Sequence, residues 1–344
     1  MTDWETVNRR SQQTLGRMTL DEKAVMLCGV DMWHLRGVDR LGLPGIRVSD
    51  CGHGITNTGS EDSCATCFPT AVAQAATWNT ELIQEMGAAL GTELRARGNS
   101  LLLGPMVNIH RVPLNGRSFE CYSEDPHLAG KMAAALVLGI QSQGVGACVK
   151  GFTANNQQAD QGQLDVIVSE RALREIYLPN FRIPVTEARP WAVMTAYNGV
   201  NGHHTSDSHH LLTEIRKNEW RLEGFVLSDG RGTHDTGVIA AGLDLEMPGP
   251  GKFMRREDIR AALAEGRLTE DELDDRVLRL LRAYVRAADA TPGNRDDLSC
   301  EAHRDVARRV AEESIVLLKN DDALLPLEMD RVSTVALIGP NAIE

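Results

Sequence analysis

Short apolar runs alternate with amphipathic stretches along most of the chain, and this alternation constrains the fold more than any other feature. The apolar runs have the length of buried parallel strands. They are Ile46–Asp50, Leu101–Ile109, Gly146–Phe152, Ala192–Asn198, Phe225–Asp229 and Gly242–Met247. Helical spacing of apolar residues between these runs predicts helices over Thr80–Arg97, His127–Gln143, Ser169–Ala188 and His209–Trp220. Strand-then-helix repetition is typical of a parallel sheet covered by helices, and it favours this architecture over an all-α or all-β fold.

The strand count by itself leaves two architectures open, an open doubly wound sheet and a closed barrel. The clear apolar runs are too few for eight strands, which are reached only by adding two weak ones. Roughly 240 to 280 residues lie between the first strand and the last helices, a span that suits a barrel. No GxGxxG motif follows the first strand to mark a dinucleotide site. We therefore predict an α/β fold, a (β/α)8 TIM-like barrel.

The pattern of charged and apolar residues changes after the last predicted strand. A highly charged helical stretch is followed by a polar connector over residues 290–300, and Thr269 with Glu272 forms a capping box for a helix start. Residues 301–344 contain one helix and two apolar runs, Ile315–Leu318 and Val335–Ile338, which we predict to be strands. One helix and two strands are too little to bury a core alone. We expect a barrel over 1–289, a linker over 290–300, and the incomplete start of an α/β sandwich domain over 301–344.

Composition narrows the class of partner. The 344 residues carry a net charge of −12, which argues against a nucleic-acid or anionic-membrane partner. No apolar run is long enough to span a bilayer, and the first residues lack the apolar region of a signal peptide. Seven cysteines, an odd number in a long chain, indicate reduced thiols. The sequence therefore predicts a cytoplasmic protein.

Polar side chains collect where the predicted strands end, and these positions meet at one face of a barrel. In chain order they are Asp50, Arg111, Arg117, Lys150, Tyr197, Asn198, Asp229 and Glu246. A carboxylate near lysine and arginine stays ionised and can attack an electrophile, and the other groups can bind sugar hydroxyls. The alternative for any single residue is a helix cap.

Other chemistries lack their sequence signals. The histidines His203, His204, His209 and His210 cluster without the spacing of a zinc protease, so we interpret them as solvated and predict no metal site. The phosphate-binding loop GxxxxGK[ST] and the serine elbow GxSxG are absent. We expect no cofactor.

Six long strings make the sequence resemble the N-terminal barrel domain of glycoside hydrolase family 3, the β-glucosidase family. They are RLGLPGIRVSDCGHG (40–54), CFPTAVAQAATWN (67–79), LLLGPMVNIHRVPLNGRSFECYSEDPHLAG (101–130), SERALREIYLPNF (169–181), MTAYNGVNG (194–202) and FVLSDGRGTHDTGVIAAGLDLEMPG (225–249). SIVLLKNDDALLPL and VALIGPNA near the end resemble the start of that family's second domain.

The resemblance implies an exo-acting retaining β-glycosidase acting on a small β-glycoside or oligosaccharide. It assigns Asp229 as the nucleophile that forms a covalent glycosyl-enzyme. It also implies that Asp50, Arg117 and Lys150 bind the sugar and that Tyr197 orients the nucleophile. Structural roles are expected for Arg111, Glu120 and Glu246, with Arg111 in a buried arginine–carboxylate fork that shapes the loop before His127.

At four positions the chain departs from the family pattern. The family usually has arginine where Thr56 stands and near Gln161, histidine where Gly151 stands, and tryptophan where Gly230 stands. Loss of several charge-assisted hydrogen bonds, each worth about 1.5–3 kcal/mol, is expected to weaken glucose binding unless they are replaced. The alternative function is therefore a weakly active or inactive sugar-binding barrel.

The sequence also leaves the general acid/base residue of the reaction unidentified. In most two-domain members it is a glutamate on the second domain. Single-domain members that cleave N-acetylglucosamine use a Lys-His-Phe-Pro-Gly-His-Gly string, which is absent from the corresponding segment beginning at Lys150. The sequence therefore leaves three explanations. The chain is the first half of a longer enzyme, it pairs with a separate sandwich domain, or it works without a protein acid on good leaving groups.

Overall fold

The computed structural model describes residues 3–50, 52–56, 64–339 and 342. Its strands are β1 (His34–Leu35), β2 (Ile46–Asp50), β3 (Leu101–Leu103), β4 (Gly146–Phe152), β5 (Asp165–Val166), β6 (Ala192–Thr195), β7 (Gly199–Val200), β8 (His203–His204) and β9 (Phe225–Leu227). The main sheet has the order β1-β2-β3-β4-β6-β9, and β5-β7-β8 form a small second sheet.

The main sheet closes on itself. All neighbours from β2 to β9 pair in parallel, whereas β1 runs antiparallel to β2. Single bridges complete the ring, from Leu227 to Leu245, from Glu246 to Cys28 and from Gly29 to Leu35. The predicted α/β barrel is therefore confirmed, with one antiparallel member that the uniform strand-then-helix pattern did not predict.

Helices cover the outside of this ring. They are α1 (Trp4–Leu15), α2 (Leu20–Met26), α3 (Ala71–Ala76), α4 (Thr80–Ala96), α5 (Pro126–Ser142), α6 (Glu170–Ala172), α7 (Pro179–Ala188), α8 (Val238–Ala241), α9 (Arg256–Ala264), α10 (Glu270–Asp289) and α11 (Glu301–Ser314), with π-helical segments at Leu173–Tyr177 and His210–Glu219. Helix α4 packs on α5, and α5 packs on α7. The capping box predicted at Thr269 and Glu272 begins α10, with both reciprocal hydrogen bonds present.

Most predicted elements are present, but several are shorter or broken. The run Leu101–Ile109 is a strand only to Leu103, because Pro105 has no N–H to donate to a neighbouring strand. The run after Ala192 ends at Thr195, and the next amide, of Ala196, donates to the Thr205 hydroxyl instead of to a strand. The predicted strand Gly242–Met247 contributes only isolated bridges, and the helix predicted over Ser169–Ala188 is interrupted near Pro179.

The C-terminal part packs on the barrel through one helix. Helix α11 lies against α3 and α4, and Val306 and Val310 are its buried side chains. The apolar runs Ile315–Leu318 and Val335–Ile338, predicted as strands, have no strand pairing and are exposed. A strand needs neighbours to hydrogen-bond with, and the described residues around these runs supply none.

No described helix combines the length and the apolar character needed to cross a lipid bilayer.

Candidate active site

The carboxyl ends of the parallel strands bring the predicted polar residues to one cavity of about 590 Å³. Asp50 is the last residue of β2 and Lys150 lies within β4, whereas Tyr197 and Asp229 each follow a strand by two residues. Arg117 comes from the long loop between β3 and α5. All five side chains line this cavity, as predicted from the strand-end pattern.

Asp229 sits low in the cavity, where burial raises the pKa of its carboxyl group. A hydrogen bond of 2.7 Å from the Gly230 amide and one from the Tyr197 hydroxyl oppose this rise, as do the positive charges of Arg117 and Lys150. Burial, followed by the negative charge of Asp229, raises the pKa of the Tyr197 phenol, so this group stays protonated and donates. The carboxylate is thus partly desolvated yet oriented, as a nucleophile requires.

A chain of charged contacts lines the opposite wall. Lys150 Nζ lies 2.6 Å from Asp50 Oδ1 and 3.9 Å from Glu120 Oε2. Arg117 in turn makes a two-pronged contact with Glu120, at 3.2 and 2.8 Å. The lysine side chain is almost fully buried (7% exposed), whereas Asp50 is 46% exposed, so the aspartate can still accept hydrogen bonds from a ligand.

A second cavity of about 440 Å³ adjoins the first at the same ion pair. Asp50 and Lys150 line both cavities, and the second is further lined by His53, Phe119 and the segment from Ala65 to Cys67. The rings of His53 and Phe119 meet edge to face with centroids 6.0 Å apart. The ion pair is therefore reachable from both sides.

The four departures from the family pattern have clear structural contexts. The Thr56 hydroxyl donates to the Asp50 carbonyl at 2.5 Å. Gly151 has φ +87°, and a Cβ there would collide with Asn108. Gly230 and Gln161 both line the cavity, and the buried Oε1 of Gln161 has no hydrogen-bond partner among the described residues. Three of these positions thus offer the cavity no charged donor, and Gln161 offers an amide.

Other cavity residues were missed by sequence reasoning. Met32 and Trp33 come from the loop before β1, Gln158 from the loop after β4, and Arg231 follows Gly230. Trp33 supplies an indole and Arg231 a guanidinium to a cavity that lacks the family's usual tryptophan and arginines. Only the residue types of Trp33 and Arg231 could have indicated a role in binding. The segment that holds Trp33 was not predicted to be a strand, because it enters the barrel only when the sheet closes.

Arg111 does not make the predicted fork with any carboxylate that the structure describes. Its side chain is exposed and its guanidinium lies 5.8 Å from the Tyr177 ring centroid, outside the cavity that holds Asp229. Arg117 makes the fork with Glu120 instead, because Ser118–Glu120 form a 3₁₀ turn that places these two side chains three residues apart on one face. The burial expected for Arg111 was therefore wrong, whereas Glu120 does pair with an arginine.

Glu246 is buried outside the cavity and organises a loop. It accepts hydrogen bonds from the Thr233 hydroxyl at 2.7 Å and from the backbone amides of Lys252, Phe253 and Met254 at 2.8 to 3.0 Å. These four hydrogen bonds anchor the loop that follows Glu246 in the chain.

The four clustered histidines lie outside the lining of the cavity that holds Asp229. Among the residues that the structure describes, no three His, Cys, Asp or Glu side chains converge as a metal site. His210 pairs with Glu214 and Glu170 on the outer surface. His204 instead stacks on His234, a residue that the sequence analysis did not single out.

A closed α/β barrel with a buried carboxylate, arginine and lysine at the strand ends is the arrangement of an enzyme that binds a polar ligand. Residues 30–283 match the glycosyl hydrolase family 3 N terminal domain. The chain belongs to this family of glycosyl hydrolases, as its sequence motifs predicted.

Relatives and solved structures agree with this assignment. The chain is 44% identical over 337 residues to thermostable beta-glucosidase B of Acetivibrio thermocellus, covering 95% of this chain and 44% of that protein. It is also 44% identical over 328 residues to an exo-alpha-(1->6)-L-arabinopyranosidase of Bifidobacterium breve, covering 92% and 43%. Beta-glucosidase 3B from Thermotoga neapolitana, solved in complex with alpha-D-glucose, superposes with a TM-score of 0.85 at 40% identity, covering 92% of this chain and 48% of that one. The chain thus spans less than half the length of these proteins.

Proposed function

We propose that this chain is the nucleophile-bearing barrel of an exo-acting retaining β-glycosidase. The observation that carries the proposal is the setting of Asp229, a partly buried carboxylate held by the Tyr197 hydroxyl in the cavity that Arg117, Lys150 and Asp50 also line. The family membership and the beta-glucosidases among the relatives support the substrate class, a small β-glycoside or oligosaccharide.

The reaction proceeds in two displacements. In the first, a carboxylate oxygen of Asp229 bonds to the anomeric carbon while the bond from that carbon to the aglycone oxygen breaks, and the aglycone leaves with a proton from a general acid. In the second, water attacks the anomeric carbon, the bond to Asp229 breaks, and the water proton returns to the same acid/base group. Arg117, Lys150 and Asp50 hold the hydroxyls of the sugar ring during both steps.

The general acid is proposed to come from outside the described barrel cavity. Its lining carboxylates are Asp229, assigned as nucleophile, and Asp50, which is engaged by Lys150 at 2.6 Å. A relative more than twice as long as this chain leaves room for a further domain to supply the acid. We accordingly propose residues 1–289 as the barrel, 290–300 as a linker and 301–344 as the start of that second domain.

A second candidate is a sugar-binding barrel with weak or no turnover. The glycine at position 230 favours it, because this position lines the cavity and contributes only backbone to a bound sugar. A sugar with fewer hydroxyl groups, such as a pentopyranose, depends less on the lost donors, so an α-L-arabinopyranoside belongs in the substrate panel beside β-D-glucosides.

A trapping experiment tests the nucleophile without requiring the general acid. The chain is incubated with a 2,4-dinitrophenyl 2-deoxy-2-fluoro-β-D-glucoside, whose leaving group departs unprotonated, and the adduct is located by peptide mass spectrometry. We expect one glycosyl unit on the peptide containing Asp229, slower labelling of Asp50→Asn, and none of Asp229→Ala. Saturable sugar binding without any adduct would favour the binding barrel.

A further inference from the structure

Two histidines from different loops stack face to face behind Tyr197. The ring centroids of His204 and His234 are 3.5 Å apart and the ring planes differ by 15°. His204 belongs to β8, in the hairpin that follows Tyr197, whereas His234 lies five residues after Asp229 in the nucleophile's own loop. The stack therefore joins the loop of the nucleophile to the loop of its hydrogen-bond partner.

Both imidazoles also contact the Tyr197 backbone. Nδ1 of His204 lies 3.3 Å from the Tyr197 carbonyl oxygen, and His234 makes a hydrogen bond to the backbone of the same residue. At its other end, the Tyr197 hydroxyl donates to Asp229. Tyr197 is thus held at its carbonyl by the histidines and at its hydroxyl by the proposed nucleophile.

We propose that His204 and His234 form a proton-sensitive clip, a pair of positioning residues that holds Tyr197 against Asp229 while the stack is neutral and loosens it when the stack gains protons. The inference rests on the proposed function in one respect, namely that Asp229 is the nucleophile. Neither histidine is among the residues that line the cavity of Asp229.

The charges around the clip set its pH range. Asp235 and Lys252 face His234, and Asp207 lies near His203, His204 and Asp235. Burial, and then the neighbouring His204, lowers the pKa of His234 below 6.5. Two protonated rings at this separation would repel, whereas neutral rings can stack and donate to one carbonyl.

The direction of the effect follows from this shift. The pKa of His234 is lower in the folded protein than that of an ordinary histidine, so the fold favours the neutral ring. The stabilisation by the neutral ring is therefore fully present above the ordinary histidine pKa. It is lost as the pH falls through the lower pKa of the folded protein. The position of Tyr197 should therefore be intact near neutral pH and weaken in acid.

The first arm of the test is independent of catalysis. NMR titration of the 344-residue chain follows the histidine ring protons and the Tyr197 amide. We expect the His234 ring to titrate below 6.5 and the Tyr197 amide to move with the same midpoint, and we expect His234→Phe to abolish this movement of the Tyr197 amide. A Tyr197 amide that does not respond to this titration overturns the clip.

The second arm measures the pH profile of fluorosugar trapping. His234→Phe keeps an aromatic ring for stacking but cannot take a proton, and His209→Phe, on an exposed side chain outside this stack, is the matched control. The ratio of the trapping rate at about pH 7 to that at about pH 5 should fall about fivefold in His234→Phe and stay unchanged in the control. A uniform loss of rate at every pH would show a merely structural role and overturn the proposal. If wild type forms no adduct at any pH, the proposed nucleophile fails, and the NMR arm still decides the clip.

Discussion

The side chain of Asn108 occupies the space into which a side chain at position 151 would have to extend. Its amide nitrogen donates to the Gly151 carbonyl at 3.0 Å, and its Oδ1 stands where a Cβ on residue 151 would collide with it. Asn108 is almost fully buried, so it has little room to withdraw. Position 151, where the family usually has histidine, therefore has no space for a side chain unless Asn108 moves.

Restoring a side chain at position 151 should consequently destabilise the protein. Gly151→Ala places a Cβ at φ +87°, costing about 1–2 kcal/mol, and overpacks Asn108 for roughly another 1–3 kcal/mol. Urea unfolding measures the loss. Gly116→Ala, with open space around its Cβ position, should stay within about 0.5 kcal/mol of wild type. An Asn108→Ala background should recover only the packing part, and equal losses at positions 116 and 151 would contradict the argument.

Tyr197→Phe removes the hydroxyl that donates to Asp229. We expect fluorosugar trapping to slow by about 10- to 100-fold, since a hydrogen bond to a charged group contributes about 1.5–3 kcal/mol. Burial raises the pKa of Asp229, and the hydrogen bond from the Tyr197 hydroxyl lowers it. In Tyr197→Phe, the pKa of Asp229 should therefore rise further. Because attack needs the ionised carboxylate, the acid limb of the rate profile should move to higher pH.

Tyr284→Phe is the control for this prediction, because its hydroxyl donates to the Arg36 carbonyl at 2.6 Å, away from the cavity. An acid limb that stays in place in Tyr197→Phe would show that this hydroxyl does not tune the nucleophile.

The ion pair between Lys150 and Asp50 should contribute more to the free energy of unfolding than the exposed ion pair between Lys131 and Glu187. Lys150→Met leaves Asp50 without its ammonium partner next to a buried side chain, and we expect a loss of about 1–3 kcal/mol, discounted for the partial exposure of Asp50. Lys131→Met breaks an exposed pair with Glu187 and should cost about 0–1 kcal/mol. A double-mutant cycle with Asp50→Asn isolates the interaction, and equal coupling energies for the two pairs would contradict this ranking.

Glu93 should fasten the C-terminal helix to the barrel in a pH-dependent way. Its buried carboxylate accepts from the Thr66 hydroxyl at 2.6 Å and the Ser299 amide at 3.0 Å, and it pairs with His303 Nδ1 at 2.9 Å. Burial alone would raise the pKa of Glu93, but these contacts, led by that with His303, outweigh it and lower the pKa.

The depressed pKa of Glu93 fixes the sign of the effect. Its contribution is present above the ordinary glutamate pKa and is lost as the pH falls through the lower folded-state value. Limited proteolysis between Ala290 and Ser299 should therefore accelerate in acid, and Glu93→Gln should show faster cleavage already at neutral pH. Glu85→Gln, whose side chain is half exposed and pairs with Arg309, serves as the control with little change.

Local sequence patterns predicted much of the barrel. Apolar runs located β2 and β4 with their observed bounds, and the apolar spacing placed α4 within one residue at its end. The strand-end pattern brought Asp50, Lys150, Tyr197 and Asp229 to one cavity, because parallel strands with helical returns deliver their carboxyl ends to the same face. These features depend on the spacing of apolar residues and on the order of strands and helices, and both can be observed in the sequence.

Contacts between residues far apart in the chain were decided only in the folded molecule. The antiparallel β1, the bridge from Cys28 to Glu246 and the entry of Trp33 into the cavity all depend on ring closure, which no local period encodes. The choice of Arg117 over Arg111 for the Glu120 fork depended on a 3₁₀ turn. The stack of His204 on His234 joins residues thirty positions apart. The sequence by itself determined which residues could do the chemistry, whereas packing in three dimensions decided which of them meet, because burial and charge act through distance in space.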